Sequence, residues 1–228
     1  MCIRDSVQTL RTDLIGDYNV DNLLGVIGSL RALGFDLSQA VQACAHLSAV
    51  PGRMQRVRVS QPHWVSAEAE TGLPVVVVDY AHTPDAVAHA LTALRSQASL
   101  RGGRLWCVLG CGGDRDALKR PLMAAAAEAF ADQVVLTSDN PRSESPQAIL
   151  DAMVEGLHRP HLVFLQADRA LAIAHALTQA AAQDVVLLAG KGHETEQEIM
   201  GVRYPFSDVL QARMALEQRV AQRQGAVA

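Results

Sequence analysis

The chain has 228 residues, 49% of them hydrophobic and 19% charged, and a net charge of −4 at pH 7. This length allows one large or two small domains, and the composition is typical of a globular α/β protein. The charge excludes the basic footprint of a nucleic-acid-binding protein, and no apolar run could span a bilayer. No secretory signal is present, and the four cysteines lack CxxC or zinc-ligand spacing, so we expect reduced cytoplasmic thiols.

The first fifty residues predict helices without a core of their own. The residues Met1–Ser6 show no helix or strand pattern that continues into the following residues. They are compatible with the end of a strand or with foreign sequence, and no element is predicted from them. Residues 7–50 predict a short extended segment and two helices, separated at Gly34 and with Ser38 as the second N-cap. Since two helices cannot form a core alone, we interpret residues 1–50 as the end of a larger domain. Pro51-Gly52 is a breaker pair that predicts a boundary, with a second domain over residues 51–228.

From Pro51 onward, apolar runs alternate with helical patterns. The predicted strands are Val57–Val59, Val75–Asp79, Leu105–Gly110, Val134–Thr137, Leu162–Leu165 and Val185–Gly190. The predicted helices lie near 84–98, 117–130, 146–156, 168–182 and 208–222. Continuous apolar strands alternating with helices indicate parallel βαβ units, and hence an α/β fold with an open doubly wound sheet.

Charged and glycine-rich loops follow four of the predicted strands. They begin at Asp79, Gly110, Thr137 and Gly190. Ligands of doubly wound sheets bind outside the carboxyl ends of the strands, so the sequence predicts one crevice lined by these loops.

The loop Thr137–Glu144 combines an acid, an amide, a proline and a guanidinium in Asp139-Asn140-Pro141-Arg142. Pro141 restricts the backbone on both sides, and a guanidinium held in a stiff loop suits bidentate recognition of a carboxylate. An ordinary turn with solvated charges is the alternative.

The other loops exclude several common sites. Arg115 stands where a dinucleotide fingerprint needs glycine, so Gly110–Gly113 indicates either an anion-binding backbone or a tight turn. Gly190-Lys191-Gly192 is not a phosphate loop, because no Ser or Thr follows the lysine. Asp79 and His82 predict polar contact with a ligand; no metal site is predicted. Cys111 is expected to be exposed in its loop.

Taken together, the loops resemble the C-terminal part of the Mur ligase family. The matching segments are Gly16–Leu24, Pro51–Met54, Val78–Asp85, Gly110–Asp116, Lys119–Pro121, Asp139–Arg142 and Gly190–Glu194. Gln55 and Glu196 depart from the family pattern. The family's uridine-binding domain and its central ATPase domain, with phosphate loop and magnesium ligands, have no counterpart beyond residues 1–50.

The resemblance implies an ATP-dependent amide ligase that adds meso-diaminopimelate to UDP-N-acetylmuramoyl-L-alanyl-D-glutamate through an acyl phosphate in peptidoglycan synthesis. ATP and Mg2+ are the implied cofactors, and the chain alone is expected to be an inactive fragment. A cytoplasmic monomer that acts on small molecules, without nucleic acid or membrane insertion, is expected. The implied contacts with the amino acid are Arg115, Asp139, Asn140, Pro141, Arg142, Gly190 and Glu194. The implied contacts with ATP are Asn19, Asn22, Arg53, Asp79 and His82.

Two other interpretations stay open on the sequence. One is a sister amide ligase of the folylpolyglutamate or cyanophycin type, which shares the domain. The other is a non-catalytic module that binds an amino acid or a nucleotide, which the missing phosphate loop would favour.

Overall fold

The computed structural model describes residues 7–59 and 72–225. Met1–Ser6, the segment of uncertain origin, and the thiol of Cys2 lie outside the described residues. The chain divides into two compact units, Met1–Val50 and Pro51–Ala228. No helix within the described ranges is both long and apolar enough to cross a membrane.

The first unit contains two helices, α1 (Tyr18–Ala32) and α2 (Leu37–Ala45). Gly34 follows α1 with a φ of +95°, as a residue after a helix end requires. The predicted N-cap of α2 is wrong by two residues. Asp36 caps the helix and forms a reciprocal capping box with Gln39, because an aspartate accepts the backbone N–H more readily when glutamine can return the bond.

The second unit is a mostly parallel sheet with helices, which confirms the predicted α/β class. Its strands are β1 (Gln55–Val57), β2 (Val75–Asp79), β3 (Leu105–Cys111), β4 (Gln133–Ser138), β5 (Phe164–Leu165) and β6 (Val185–Ala189). Its helices are α3 (Pro84–Leu100), α4 (Lys119–Phe130), α5 (Pro146–Val154), α6 (Arg169–Gln179) and α7 (Asp208–Gly225). The strand order is β1-β2-β6-β3-β4-β5, and only β1 runs antiparallel to its neighbour.

Three strand predictions need correction. β1 begins and ends two residues earlier than predicted, because its register with β2 pairs Gln55 with Val78. The predicted strand Leu162–Leu165 begins instead as a 3-10 turn at Pro160–Leu162, since Pro160 presets the turn φ. The pattern also missed a separate hairpin, β7 (Glu196–Ile199) and β8 (Val202–Pro205).

Burial explains why the strands are continuous apolar runs. Alternate strand residues, among them Val76, Val78 and Val108, form one core with α6 and α7. The intervening residues must point to the opposite face by the period of two, where α3, α4 and α5 pack. The sheet is therefore covered on both faces, and polar side chains are left to the strand ends.

The register aligns the ends of the central strands. Asp79 of β2 pairs with Ala189 of β6, which also pairs with Leu109 of β3. Cys111 of β3 pairs with Ser138 of β4. The loops that follow these strands therefore start at the same edge of the sheet.

Candidate functional site

A cavity of about 430 Å³ lies at this edge, within the second unit. The loops after β2, β3, β4 and β6 all contribute to it. Seven of the predicted ligand-binding residues line it, namely His82, Arg115, Asp139, Asn140, Arg142, Gly190 and Glu194. Of the other predictions, Pro141 lines a separate cavity behind the loop.

Backbone and side-chain bonds join the loop after β3 to the loop after β4. Arg120, at the start of α4, donates to both carboxylate oxygens of Glu144 at 2.9 and 2.7 Å. Glu144 also accepts from the backbone N–H of Asp114 at 2.6 Å, and the hydroxyl of Ser143 donates to Asp114 at 2.6 Å. The Ser143 bonds lower the pKa of Asp114, and the Arg120 bond lowers that of Glu144, so both carboxylates carry charge at neutral pH.

Arg142 is held across these two loops. Its guanidinium donates to the carbonyl of Gly113 at 2.7 Å and lies 4.0 Å from the Glu198 carboxylate. Its φ of +53° is in the left-handed region, and its backbone forms a bridge to Ile199 of β7. The alternative of an ordinary turn with solvated charges is not the arrangement found, because the Arg142 side chain has these two partners. A backbone strained in this way needs support from its surroundings, and the hairpin provides it.

Two carboxylates of the cavity, Asp139 and Glu194, share a buried partner. The Asn140 amide donates to Glu194 at 2.7 Å, and the buried ammonium of Lys191 donates to Asp139, Asn140 and Glu194 at 3.2, 3.0 and 3.3 Å. Burial raises the pKa of Asp139, an effect that the charges of Arg169 and Lys191 oppose. Because both cationic side chains and carboxylates line it, the cavity is complementary to a zwitterion such as an amino acid.

The residues predicted to contact ATP do not line this cavity as a group. The Asp79 carboxylate accepts from the backbone N–H groups of Met54 and Ala81 at 2.8 and 2.9 Å, and burial raises its pKa. The guanidinium of Arg53 lies 4.9 Å from the centre of the Tyr80 ring. Asp79 thus fixes the backbone beside Arg53, which leaves the Arg53 side chain as the cation presented by this loop.

Asn19 and Asn22 belong to the first unit. They lie one turn apart on α1, where the Asn22 amide donates to the Asn19 oxygen at 3.2 Å and Asn19 donates to Ile15 at 2.7 Å. The segment is helical from Tyr18 onward, because the backbone N–H groups of Asn19 and Val20 donate to the carbonyls of Gly16 and Asp17 and so start the helix there.

Several residues of the site were missed or misassigned from the sequence. Lys191 and Arg120 were not predicted as site residues, because lysine and arginine side chains are usually exposed. The available signals were the glycines on either side of Lys191 and the Lys119-Arg120 pair. Cys111, expected to be exposed, is buried, lies 3.7 Å from the sulfur of Met123, and has a pKa raised to about 12 by desolvation. Its position as the last residue of β3 turns the thiol inward.

Among residues 7–59 and 72–225, no cluster of three or more His, Cys, Asp or Glu side chains could hold a metal ion.

The chain is similar in sequence and in fold to known proteins. The family model described as Mur ligase, glutamate ligase domain matches residues 52–192. The chain is 56% identical, over 212 residues, to UDP-N-acetylmuramoyl-L-alanyl-D-glutamate–2,6-diaminopimelate ligase of Acidovorax sp. (strain JS42), covering 93% of this chain and 40% of that protein. It is 49% identical, over 211 residues, to the ligase of the same name from Ralstonia nicotianae, covering 92% and 39%.

A solved structure of a ligase with that name superposes with a TM-score of 0.71 at 42% identity, and the match covers 92% of this chain and 40% of the other. The chain thus spans about 40% of the length of the relatives it matches. The family model covers more than half of the chain, on the residues that form the sheet and the loops around the cavity. The chain belongs to the Mur ligase family.

Proposed function

We propose that the cavity binds the incoming amino acid of an ATP-dependent ligase that adds meso-diaminopimelate to UDP-N-acetylmuramoyl-L-alanyl-D-glutamate. The observation that carries this is that Arg115 and Arg142 line the same cavity as Asp139 and Glu194. Relatives at 56% and 49% identity are named as diaminopimelate ligases, which supports the same substrate here.

In this proposal Arg115, Asp139, Asn140, Pro141, Arg142, Gly190 and Glu194 form the amino-acid site. Arg115 and Arg142 bind carboxylate, while Glu194 and the loop carbonyls bind ammonium. Holding both ends of the ligand orients its amine for attack and excludes water from the reaction.

We propose that ATP is contacted by Asn19 and Asn22 of the first unit and by Arg53, Asp79 and His82 of the second. ATP supplies the phosphoryl group that turns the glutamyl carboxylate into an acyl phosphate. The 228 residues contain no G-x-x-x-x-G-K-[ST] phosphate loop, so we propose that the chain alone does not turn over. The protein acts in the cytoplasm, as a monomer.

Arg142→Ala tests the substrate assignment in the complete ligase. Diaminopimelate carries a distal carboxylate that lysine lacks, so truncating a guanidinium that binds it should lower kcat/KM for diaminopimelate by roughly 5- to 150-fold, the equivalent of about 1–3 kcal/mol. The kcat/KM for lysine should change little. Both values are measured by phosphate release.

The matched control is Arg95→Ala, which removes an exposed arginine paired with Asp132 at 2.6 Å near the other end of β4. It should leave the ratio of the two substrates unchanged. An equal loss for both substrates in Arg142→Ala, or a parent that prefers lysine, would contradict the assignment.

A further inference from the structure

We propose that Lys191 is a positioning residue, a buried internal counter-ion of Asp139 that also sets the directions of Asn140 and Glu194 toward the ligand. This inference rests on the proposed function, because it names what organises the carboxylates of the same cavity.

The first support is that the Lys191 ammonium has a complete set of partners. An ammonium has three N–H donors, and its nitrogen lies 3.2 Å from Asp139 Oδ1, 3.0 Å from Asn140 Oδ1 and 3.3 Å from Glu194 Oε2. Its side chain is 0% exposed. A lysine buried in this way is rare unless it is paired, so the three acceptors are the reason it can be there.

The backbone on either side of Lys191 is built to turn it inward. Gly190 and Gly192 have φ values of +114° and +55°. A Cβ on Gly192 would lie 2.6 Å from Cβ of Tyr80, and one on Gly190 would lie 3.1 Å from the carbonyl oxygen of Gly110. Glycine permits both backbone conformations at these close contacts. The Gly-Lys-Gly sequence therefore places the Lys191 ammonium in the protein interior beside the cavity and not in solvent.

Lys191 also determines which way the Asn140 amide faces. The Asn140 oxygen accepts from Lys191 and from the backbone N–H of Glu198 at 3.0 Å, so its NH2 group must face Glu194, at 2.7 Å. Without the ammonium, one of the two donors to that oxygen is lost. The ligand-facing carboxylate of Glu194 would then lose a bond from Lys191 directly and a fixed partner in Asn140.

The formal charges around Asp139 do not balance, and one cationic group of a ligand would neutralise them. Lys191 and Arg169 are positive; Asp139, Glu194 and the Asp208 partner of Arg169 are negative. Cys111, a further titratable neighbour of Asp139, is neutral because desolvation raises its pKa to about 12. At formal charges this cluster carries one unbalanced carboxylate, which an ammonium group of the amino acid would complete.

The pKa of Asp139 tests whether the charge of Lys191 matters, because a role of Lys191 in packing alone would not change that pKa. Burial already raises this pKa, while the charges of Arg169 and Lys191 lower it and that of Glu194 raises it. Replacing Lys191 with a neutral residue should therefore raise the Asp139 pKa further, because an adjacent opposite charge is lost. Replacing Glu194 with glutamine should lower it.

The experiment follows the Asp139 carboxyl resonance by carbon NMR against pH in the 228-residue chain. Lys191→Gln keeps hydrogen-bond donors and removes the charge, and Lys191→Met removes both. Arg95→Gln removes a charge of the same sign from an exposed ion pair outside the cavity and should leave the Asp139 titration where it is in the parent. Glu194→Gln, at a side chain one-third exposed, reports the coupling even if both Lys191 variants fail to fold.

An upward shift in Lys191→Gln, or a downward shift in Glu194→Gln where no Lys191 variant folds, supports the proposal. A folded Lys191→Gln that titrates like the parent overturns it. Where no Lys191 variant folds, an unchanged Asp139 titration in Glu194→Gln overturns it.

A second readout separates this inference from the proposed function. In the complete ligase, Lys191→Gln should raise KM for meso-diaminopimelate about tenfold or more, with KM for ATP unchanged, because a truncated buried charge leaves its partners unpaired. If Lys191→Gln shifts the Asp139 titration but leaves KM for diaminopimelate unchanged, the role of Lys191 stands and the proposed amino-acid site is contradicted. If KM rises while the Asp139 titration stays where it is in the parent, the amino-acid site stands and the proposed role of Lys191 is overturned.

Discussion

Gly52 brings the turn after the domain boundary directly against the loop that carries Lys191. A Cβ at Gly52 would lie 2.1 Å from the backbone nitrogen of His193 and 2.4 Å from the carbonyl carbon of Gly192. The φ of Gly52 is +70°. The position therefore excludes a side chain for two reasons, the backbone conformation and the close approach of another backbone segment.

Gly52→Ala should destabilise the second unit by more than the roughly 1–2 kcal/mol of a left-handed alanine, because the methyl group also displaces His193. Gly102→Ala is the matched control, with a φ of +66° and no atom within 4 Å of the added Cβ. Urea unfolding followed by circular dichroism measures both. Equal losses in the two variants would mean that the contact with His193 costs nothing.

At the scale of elements, one buried ion pair joins α6, α7 and two strand ends. Arg169 donates to both carboxylate oxygens of Asp208 at 2.7 and 2.6 Å, and both side chains are 0% exposed. The same guanidinium donates to the carbonyls of Ser138 and Ala189 at 3.3 and 3.0 Å. Arg169 thus ties the last residues of β4 and β6, which precede the two site loops, to the helices beneath.

Arg169→Met should cost about 3–5 kcal/mol, because it leaves the Asp208 carboxylate buried without its partner. Arg169→Met combined with Asp208→Leu should cost less than the single change, since no uncompensated charge remains. Thermal and urea unfolding of the single and double variants give the comparison. A double variant as unstable as the sum of the two singles would show that charge pairing is not the cause.

The β7–β8 hairpin supports the site loop from the side. Gln197 donates to the backbone carbonyl of Asp139 at 2.7 Å, and the Arg142 N–H donates to the carbonyl of Glu198 at 3.0 Å. Its sequence could not be recognised as a strand pair, because Glu196–Ile199 is mostly polar and short. Its pairing depends instead on the loop it contacts, a tertiary interaction that no local pattern encodes.

At the scale of the whole molecule, the two units differ in how much apolar surface they bury. The first unit buries Leu23, Ala40, Val41 and Cys44. It leaves larger side chains exposed, namely Tyr18, Val20, Leu24, Val26, Leu33, Phe35, Leu47 and Val50. The second unit has a core on both faces of its sheet. Little burial means a low free energy of local opening, so the units should differ in dynamics.

Hydrogen exchange should therefore be fast in α1 and α2 and slow in β2 and β6 of the 228-residue chain. The central strands are fully buried and paired on both sides, which requires near-global unfolding for exchange. Mass spectrometry of peptic fragments measures the difference. Equal protection in the helices and the strands would contradict it.

The sequence by itself determined the fold class, the order of the strands along the chain and the positions of the polar loops. Those signals are local: apolar runs such as Val75–Val78, breakers such as Pro51-Gly52, and charged residues directly after each run. The tertiary structure alone decided which of these charges face a ligand and which face one another. Glu144 bonds Arg120 across 24 residues, and Lys191 reaches Asp139 across 52. Such pairings depend on strand order and register, because side chains distant in the sequence meet only after the sheet has aligned the strand ends.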